Sequence, residues 1–119
     1  MYKIGIEYQF ESGHYLTGLP DTHKCTRPHG HNYILKVEFA SKVLDATGFI
    51  IDYFDIKPIK DYIDAEWDHR MLNDVLDFNP TVENMVKFLY DKFKPLFPQL
   101  SSVTIQETPT TFATYSQTI

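Results

Sequence analysis

A chain of 119 residues, 43 % hydrophobic and 23 % charged, has room for one hydrophobic core rather than two, and it is too apolar to read as disordered. Eleven Lys and Arg against sixteen Asp and Glu leave a formal charge of −5, which argues against a general nucleic-acid surface; no apolar run approaches the roughly 18 residues of a membrane span. The opening MYKIGIEYQF carries charges throughout and does not read as a signal peptide, while a single cysteine rules out an internal disulfide framework and suits a reducing cytoplasm.

The first segment alternates. Tyr2, Ile4, Ile6, Tyr8 and Phe10 point one way and Lys3, Gly5, Glu7, Gln9 and Glu11 the other, the period of a half-buried strand. Thr17 to Pro28 is polar and contains Gly and Pro, so it reads as a loop. A second alternating strand follows through Tyr33, Leu35, Val37 and Phe39, and Asp45 to Gly48 reads as a turn. Asp55 to about Glu66 reads as a helix, with Ile56, Ile59, Tyr62 and Ile63 at helical spacing, Asp55 as the candidate N-cap and Pro58 in the first turn. A second helix runs from Thr81, its cap, to about Lys94; Val82, Met85, Val86, Leu89 and Phe93 form its apolar stripe, and Pro95 and Pro98 mark its end. Ser102 to Thr108 and Phe112 to Ile119 read as two strands joined around Pro109. The order β-β-α-α-β-β has no strand–helix–strand alternation, so the fold class is α+β: an antiparallel sheet with two helices packed on it, one domain over residues 1–119. Nine Phe and eight Tyr suit a dense core, an oligomer interface, or both.

His29-Gly30-His31 places two imidazoles on one strand face, in phase with Tyr33 to Phe39, and His14 is in phase with Tyr2 to Phe10 if the first strand runs that far. Pairing the strands by their apolar faces brings all three together, and three neutral imidazoles are a standard shell for a catalytic zinc. Cys25 has three readings. It is a fourth ligand closing a structural shell, a nucleophile or base near Lys24 and Arg27, or a free thiol. Asp68-His69 has the chemistry of an oriented acid/base pair, although adjacent Asp-His pairs are frequent by chance. Glu107 shares the parity of Val103 and Ile105, and is either a strand-end charge or a ligand anchor that accepts two N–H bonds from a heterocycle edge.

The set His14, Cys25-x-x-x-His29-Gly-His31, Asp52, Asp68-His69, Leu72-Asn73, Pro80-Thr81-x-Glu83 and Glu107-Thr108 resembles the 6-pyruvoyltetrahydropterin synthase superfamily from Phe10 to Tyr115. The short length, HKCTRPHGHNY, TGFIIDYFDIK and WDHRMLND resemble its queuosine branch, the 6-carboxy-5,6,7,8-tetrahydropterin synthases. The resemblance implies the tunnelling fold, in which three subunits close a barrel and two barrels stack into a hexamer with sites between subunits. It implies zinc on His14, His29 and His31, catalysis by Cys25 and by the Asp68–His69 relay, and a pterin anchor at Glu107 with Thr108 beside it. The implied substrate is 7,8-dihydroneopterin triphosphate, with His23, Lys24 and Arg27 placed to receive the triphosphate. The implied products are 6-carboxytetrahydropterin, acetaldehyde and triphosphate. The sequence departs from the family at Phe10-Glu11-Ser12-Gly13, where small residues are commoner, and at Trp67, where Leu is usual; neither removes a chemical group. The competing readings are the sister reaction giving 6-pyruvoyltetrahydropterin, a non-catalytic zinc or pterin-binding oligomer, and a zinc hydrolase of unrelated fold.

Overall fold

The computed structural model describes residues 1–117. Strand β1 (Tyr2–His14) runs antiparallel to β2 (His29–Ser41), then come α1 (Lys57–Tyr62), α2 (Leu72–Val75) and α3 (Val82–Phe93), and finally β3 (Leu100–Thr108) and β4 (Thr111–Tyr115). The sheet order is β1-β2-β3-β4 with every pair antiparallel, so β1 and β4 are its edges.

Alternation produces the two faces. Phe10, Tyr33, Leu35, Val37, Phe39, Val103 and Ile105 are buried and pack against the helices through Ile59, Trp67, Met85 and Leu89. The Phe10 and Tyr33 rings stack with centroids 4.9 Å apart, and Trp67 stacks on Phe88 at 6.1 Å. The opposite face carries Glu7, Glu11, Lys36, Thr104 and Thr114, with Ile34 and the exposed Phe112 among them.

Both α-helical segments anticipated from periodicity are present, with differences at their ends. Asp52, not Asp55, is the cap: its carboxylate accepts the Phe54 N–H at 2.9 Å and starts a 3-10 turn, Tyr53–Ile56, that leads into α1. Asp55 falls inside that turn because the 3-10 segment begins the coil earlier than the apolar spacing indicates. Pro58 sits in the first turn of α1 as expected. Beyond Tyr62 the helix widens into a π-turn, Ile63–Trp67, which seats Ile63 and Trp67 in the core. Thr81 caps α3 by accepting the Asn84 N–H at 3.2 Å. The last strand is shorter than Phe112 to Ile119: its ladder to β3 ends at the Val103–Tyr115 pair, and residues 118–119 lie outside those described. Among the described residues no helix is long and apolar enough to cross a membrane.

Candidate active site

The first strand does run to His14. His14 pairs with His29, Ser12 with His31 and Phe10 with Tyr33. Directly opposed residues of an antiparallel pair project to the same face, so His14, His29 and His31 meet at the end of the core layer. Their ring centroids are 4.6, 4.9 and 5.2 Å apart. One ring nitrogen from each forms a group mutually within 4.8 Å, and Cys25 is not part of it.

The hydrogen bonds set the tautomers. His14 Nδ1 lies 2.8 Å from the Pro80 carbonyl and His29 Nδ1 2.7 Å from the Arg27 carbonyl. A carbonyl only accepts, so both Nδ1 atoms carry the proton and both Nε2 atoms present lone pairs. Those two Nε2 atoms face each other at 3.1 Å, an arrangement that repels unless a cation stands between them. Two imidazoles on one tetrahedral ion, with bonds of about 2.0–2.1 Å, would have nitrogens about 3.3 Å apart. His31 Nε2 is buried without a hydrogen-bond partner. Burial holds the pKa of His14 and of His31 below the usual imidazole value, only partly offset by the Pro80 carbonyl at His14 and by Glu107 at both, so both rings favour the neutral form a metal requires. The residues therefore fit a metal ion, with the backbone fixing two ligands from behind.

Glu107 turns toward this group. Its Oε1 is 3.7 Å from His31 Nε2, and the side chain is only 26 % exposed, so it is not a charge released to solvent at a strand end. The β3–β4 register explains the aim: Gln106 pairs with Phe112 but Thr108 with Thr111, which makes Glu107 the extra residue of a bulge. Burial raises the Tyr33 phenol well above its usual pKa, and the Glu107 charge adds to the shift. Thr108 uses its hydroxyl within the hairpin, 2.6 Å from the Thr111 hydroxyl.

Asp68 and His69 are built differently. β1 is an edge strand, and residues 68–71 line its free side: Asp68 accepts the Glu11 N–H at 3.0 Å, His69 N–H donates to the Glu11 carbonyl at 2.6 Å, and Gly13 N–H donates to the Arg70 carbonyl at 2.9 Å. A Cβ at Gly13 would stand 3.3 Å from the Met71 methyl, a tight contact that a small shift of that side chain would relieve. His69 holds φ at 57°, the left-handed region a non-glycine residue adopts at a cost of roughly 1–2 kcal/mol. Its Nδ1 is 3.0 Å from Asp68 Oδ1, its Nε2 is 3.6 Å from a Glu11 carboxylate oxygen, and the ring is 72 % exposed. The Glu11 backbone contact holds the Asp68 carboxyl below the ordinary carboxylate value, and His69 adds to the effect. Glu11 projects from the face opposite His14, so within one chain the His69 ring is not gathered into the three-histidine group. With Glu11, Gly13, Asn32, Met71 and His31 of that group it lines a surface cavity of about 520 Å³.

Cys25 lies in a 3-10 turn, Lys24–Thr26, half-buried; the His23 ring caps that turn by accepting the Cys25 N–H at 3.1 Å. Lys24 and Arg27 are exposed on either side. The Trp67 ring packs against Phe10, and the Ser12 hydroxyl donates to the backbone carbonyl of residue 67 at 2.5 Å, so the departures at Phe10 and Trp67 touch through their rings. Sequence reasoning missed the Pro80 carbonyl, which no side-chain pattern reveals. It also gave no role to Asn73 and Asn79, although an Asn directly before a Pro and a helix cap is a turn signal.

A family model described as 6-pyruvoyl tetrahydropterin synthase matches residues 3–118. A putative 6-carboxy-5,6,7,8-tetrahydropterin synthase from Archaeoglobus fulgidus is 38 % identical over 82 residues, covering 69 % of this chain and 67 % of that one. The 6-carboxy-5,6,7,8-tetrahydropterin synthase of Synechocystis is 34 % identical, covering 97 % of this chain and 93 % of that one. Among solved structures, the 6-pyruvoyl tetrahydropterin synthase of Caenorhabditis elegans superposes with a TM-score of 0.86 at 28 % identity, over 98 % of this chain and 96 % of that one. The sequence and the sheet with its helices thus agree with one lineage along nearly the whole chain, and the protein belongs to the 6-pyruvoyl tetrahydropterin synthase family as a lyase-type tetrahydropterin synthase.

Proposed function

We propose that this protein is a zinc-dependent 6-carboxytetrahydropterin synthase of the cytoplasm. It converts 7,8-dihydroneopterin triphosphate to 6-carboxy-5,6,7,8-tetrahydropterin, acetaldehyde and triphosphate in queuosine and 7-deazaguanine synthesis. The observation that carries the reading is the three-imidazole group with Glu107 turned toward it, 3.7 Å from His31. The names of the Archaeoglobus and Synechocystis relatives support the carboxy product.

His14, His29 and His31 hold the ion and leave a fourth position open. When bound, zinc supplies Lewis-acid polarisation of the substrate's side-chain hydroxyls. Glu107 accepts N–H bonds from the aminopyrimidinone edge and fixes the register of the pterin, with Thr108 beside it. Cys25 moves a proton on the side chain. His69, oriented by Asp68 at its Nδ1, exchanges a proton from its exposed Nε2. His23, Lys24 and Arg27 receive the triphosphate and supply a local positive field on a chain whose formal charge is −5.

The site is completed between subunits of a hexamer, two stacked trimers. Two features support this: the His69 ring is 72 % exposed and is not one of the three grouped imidazoles, and β1 and β4 are the edge strands of the sheet, which ring closure would pair.

The decisive experiment incubates metal-loaded protein with dihydroneopterin triphosphate and assays acetaldehyde. Acetaldehyde equimolar with pterin product is expected. The sister reading, favoured by the match to the nematode enzyme, gives 6-pyruvoyltetrahydropterin and no acetaldehyde. Cys25→Ala should abolish turnover while zinc and pterin stay bound; loss of zinc, or substantial remaining turnover, would remove the thiol from its assigned role.

A further inference from the structure

The segment that leaves β1 toward the cysteine loop is gripped on both of its edges. On one edge, the Asn73 side chain accepts the Tyr15 N–H at 2.9 Å and donates to the Tyr15 carbonyl at 2.9 Å. Two residues on, Asn79 does the same to Thr17, accepting its N–H at 2.9 Å and donating to its carbonyl at 3.1 Å. In extended chain, residues two apart offer their backbone groups to the same side and the residue between offers its own to the other. Leu16 obeys this: its N–H points away from both amides and donates to the Cys25 carbonyl at 2.8 Å. The two asparagines are half-buried, one on α2 and one just ahead of α3, and each reaches back to a residue about 60 positions earlier.

We infer that Asn73 and Asn79 are positioning residues for the reaction: they clamp Tyr15–Thr17 so that Leu16 can hold the Cys25 turn in register with the three-histidine group. An asparagine is suited to this, because its amide offers one acceptor and one donor in a plane and so imitates a neighbouring strand for one residue. The turn is tied at its far end as well, since the Arg27 carbonyl receives His29 Nδ1. Cys25 is therefore suspended between a metal ligand and the clamped segment. The turn itself has local bonds, Thr26 and His23 among them, but these fix its shape and not its place. Asn79 has a second connection: the next residue, Pro80, gives its carbonyl to His14 Nδ1. Tyr15 directly follows His14, but when the Asn73 clamp is lost His14 keeps its pairing with His29 and its bond to the Pro80 carbonyl, whereas loss of the Asn79 clamp also loosens that carbonyl support.

This inference rests on the catalytic reading of Cys25 only for its effect on turnover; the placement of the thiol is measured separately. Because the chain has one cysteine, the rate of labelling by a thiol reagent such as a disulfide chromophore reports that turn and nothing else. Asn73→Ala in metal-loaded protein should speed labelling roughly tenfold, the factor one or two net hydrogen bonds carry in a local opening equilibrium. It should lower kcat by about 10²-fold, the usual cost of a misplaced reacting group, with KM and zinc content unchanged. Asn79→Ala should do the same and in addition weaken zinc about 10-fold, as second-layer losses do. Asn73→Asp keeps the acceptor for the Tyr15 N–H but loses the donor, and should fall between wild type and Asn73→Ala in both labelling and kcat. Unchanged labelling with unchanged kcat in Asn73→Ala would overturn the inference. So would a fall in kcat accompanied by loss of zinc in Asn73→Ala, which would make the residue a general support of the fold. If Cys25→Ala keeps its turnover, the catalytic reading of the thiol fails, and faster labelling in Asn73→Ala would still establish the clamp.

Discussion

The imidazoles of His14, His29 and His31 and the imidazole of His69 are held in opposite ways by one short chain. The three are carried on paired strands, their positions following from register. Two of them are backed by carbonyls, and burial keeps the first and last neutral. His69 is carried on an irregular segment laid along a sheet edge, with a left-handed backbone, a carboxylate at Nδ1 and most of its ring in solvent. The first arrangement is complete within one subunit and suits a group that must not move. The second is oriented from behind by Asp68, with Glu11 3.6 Å from its other nitrogen and most of the ring in solvent, which suits a group that meets substrate supplied from elsewhere. The difference separates holding from exchanging: a ligand needs a fixed lone pair, while a proton carrier needs one fixed nitrogen and one free one.

The largest effects come from breaking the complete half. His31→Ala should take the protein from one zinc per chain to almost none, because two imidazoles rarely retain the ion. Metal analysis after dialysis checks this, and full occupancy would remove the three-histidine site. His69→Ala should leave zinc untouched while stopping turnover. If the two halves meet across a subunit boundary, the inactive His31→Ala and His69→Ala proteins, dissociated and reassembled together, should regain roughly a quarter of wild-type activity by random partnering. Mixtures no more active than their parents would show that both halves serve the same chain's site.

How far the site can be read in the sequence follows the same division. The alternation through Phe10 and Tyr33 sets strand parity, and carrying that parity to His14 and His31 brings together the three imidazoles that could hold a metal, because a β-strand leaves only two directions for a side chain. Glu107 was visible by parity but not its aim, since a bulge is a local count of residues against a partner strand. Asp52 and Asp55 both precede Pro58, and spacing alone could not say which one caps. The contacts fixing His69 join Glu11 to residues 57 or 58 positions away through the backbone, and periodicity carries no information about a free edge. The same holds for Asn73 and Asn79. Each grips backbone, and backbone is the same at every position.

A middling effect is expected at the border between substrate and metal. Glu107→Gln should weaken pterin binding by about 1.5–3 kcal/mol, the worth of a charge-assisted hydrogen bond in a half-enclosed site, and leave zinc in place. Titration with a non-reacting pterin checks the first part and metal analysis the second. Zinc loss would mean that the carboxylate serves His31 rather than the heterocycle, which their separation of 3.7 Å makes a real test.

The smallest effect concerns the open half and its orientation from behind. The Asp68 pKa is held below its ordinary 3.8, mainly by the Glu11 N–H and secondarily by His69. A carboxylate whose folded value is depressed binds its proton less readily in the folded chain than in the unfolded one. Its contribution to stability is thus present in full above the ordinary value and is lost as pH falls through the folded one. Above pH 3.8 the contact to Glu11 should therefore be intact, and acid should loosen it only below that value. In metal-free protein, denaturant midpoints for wild type should fall more steeply from pH 4 to pH 2 than those for Asp68→Asn, whose amide has no proton to take up. The difference should be slight, because the Asp68 side chain is 29 % exposed and solvent screens part of its charge. At neutral pH the same variant should lose far more activity than stability, since His69 Nδ1 then lacks the carboxylate 3.0 Å away that orients the ring. Equal slopes for the two proteins would mean that Asp68 gains nothing from the edge of β1, and the orientation of His69 would then rest on its own backbone bond to Glu11.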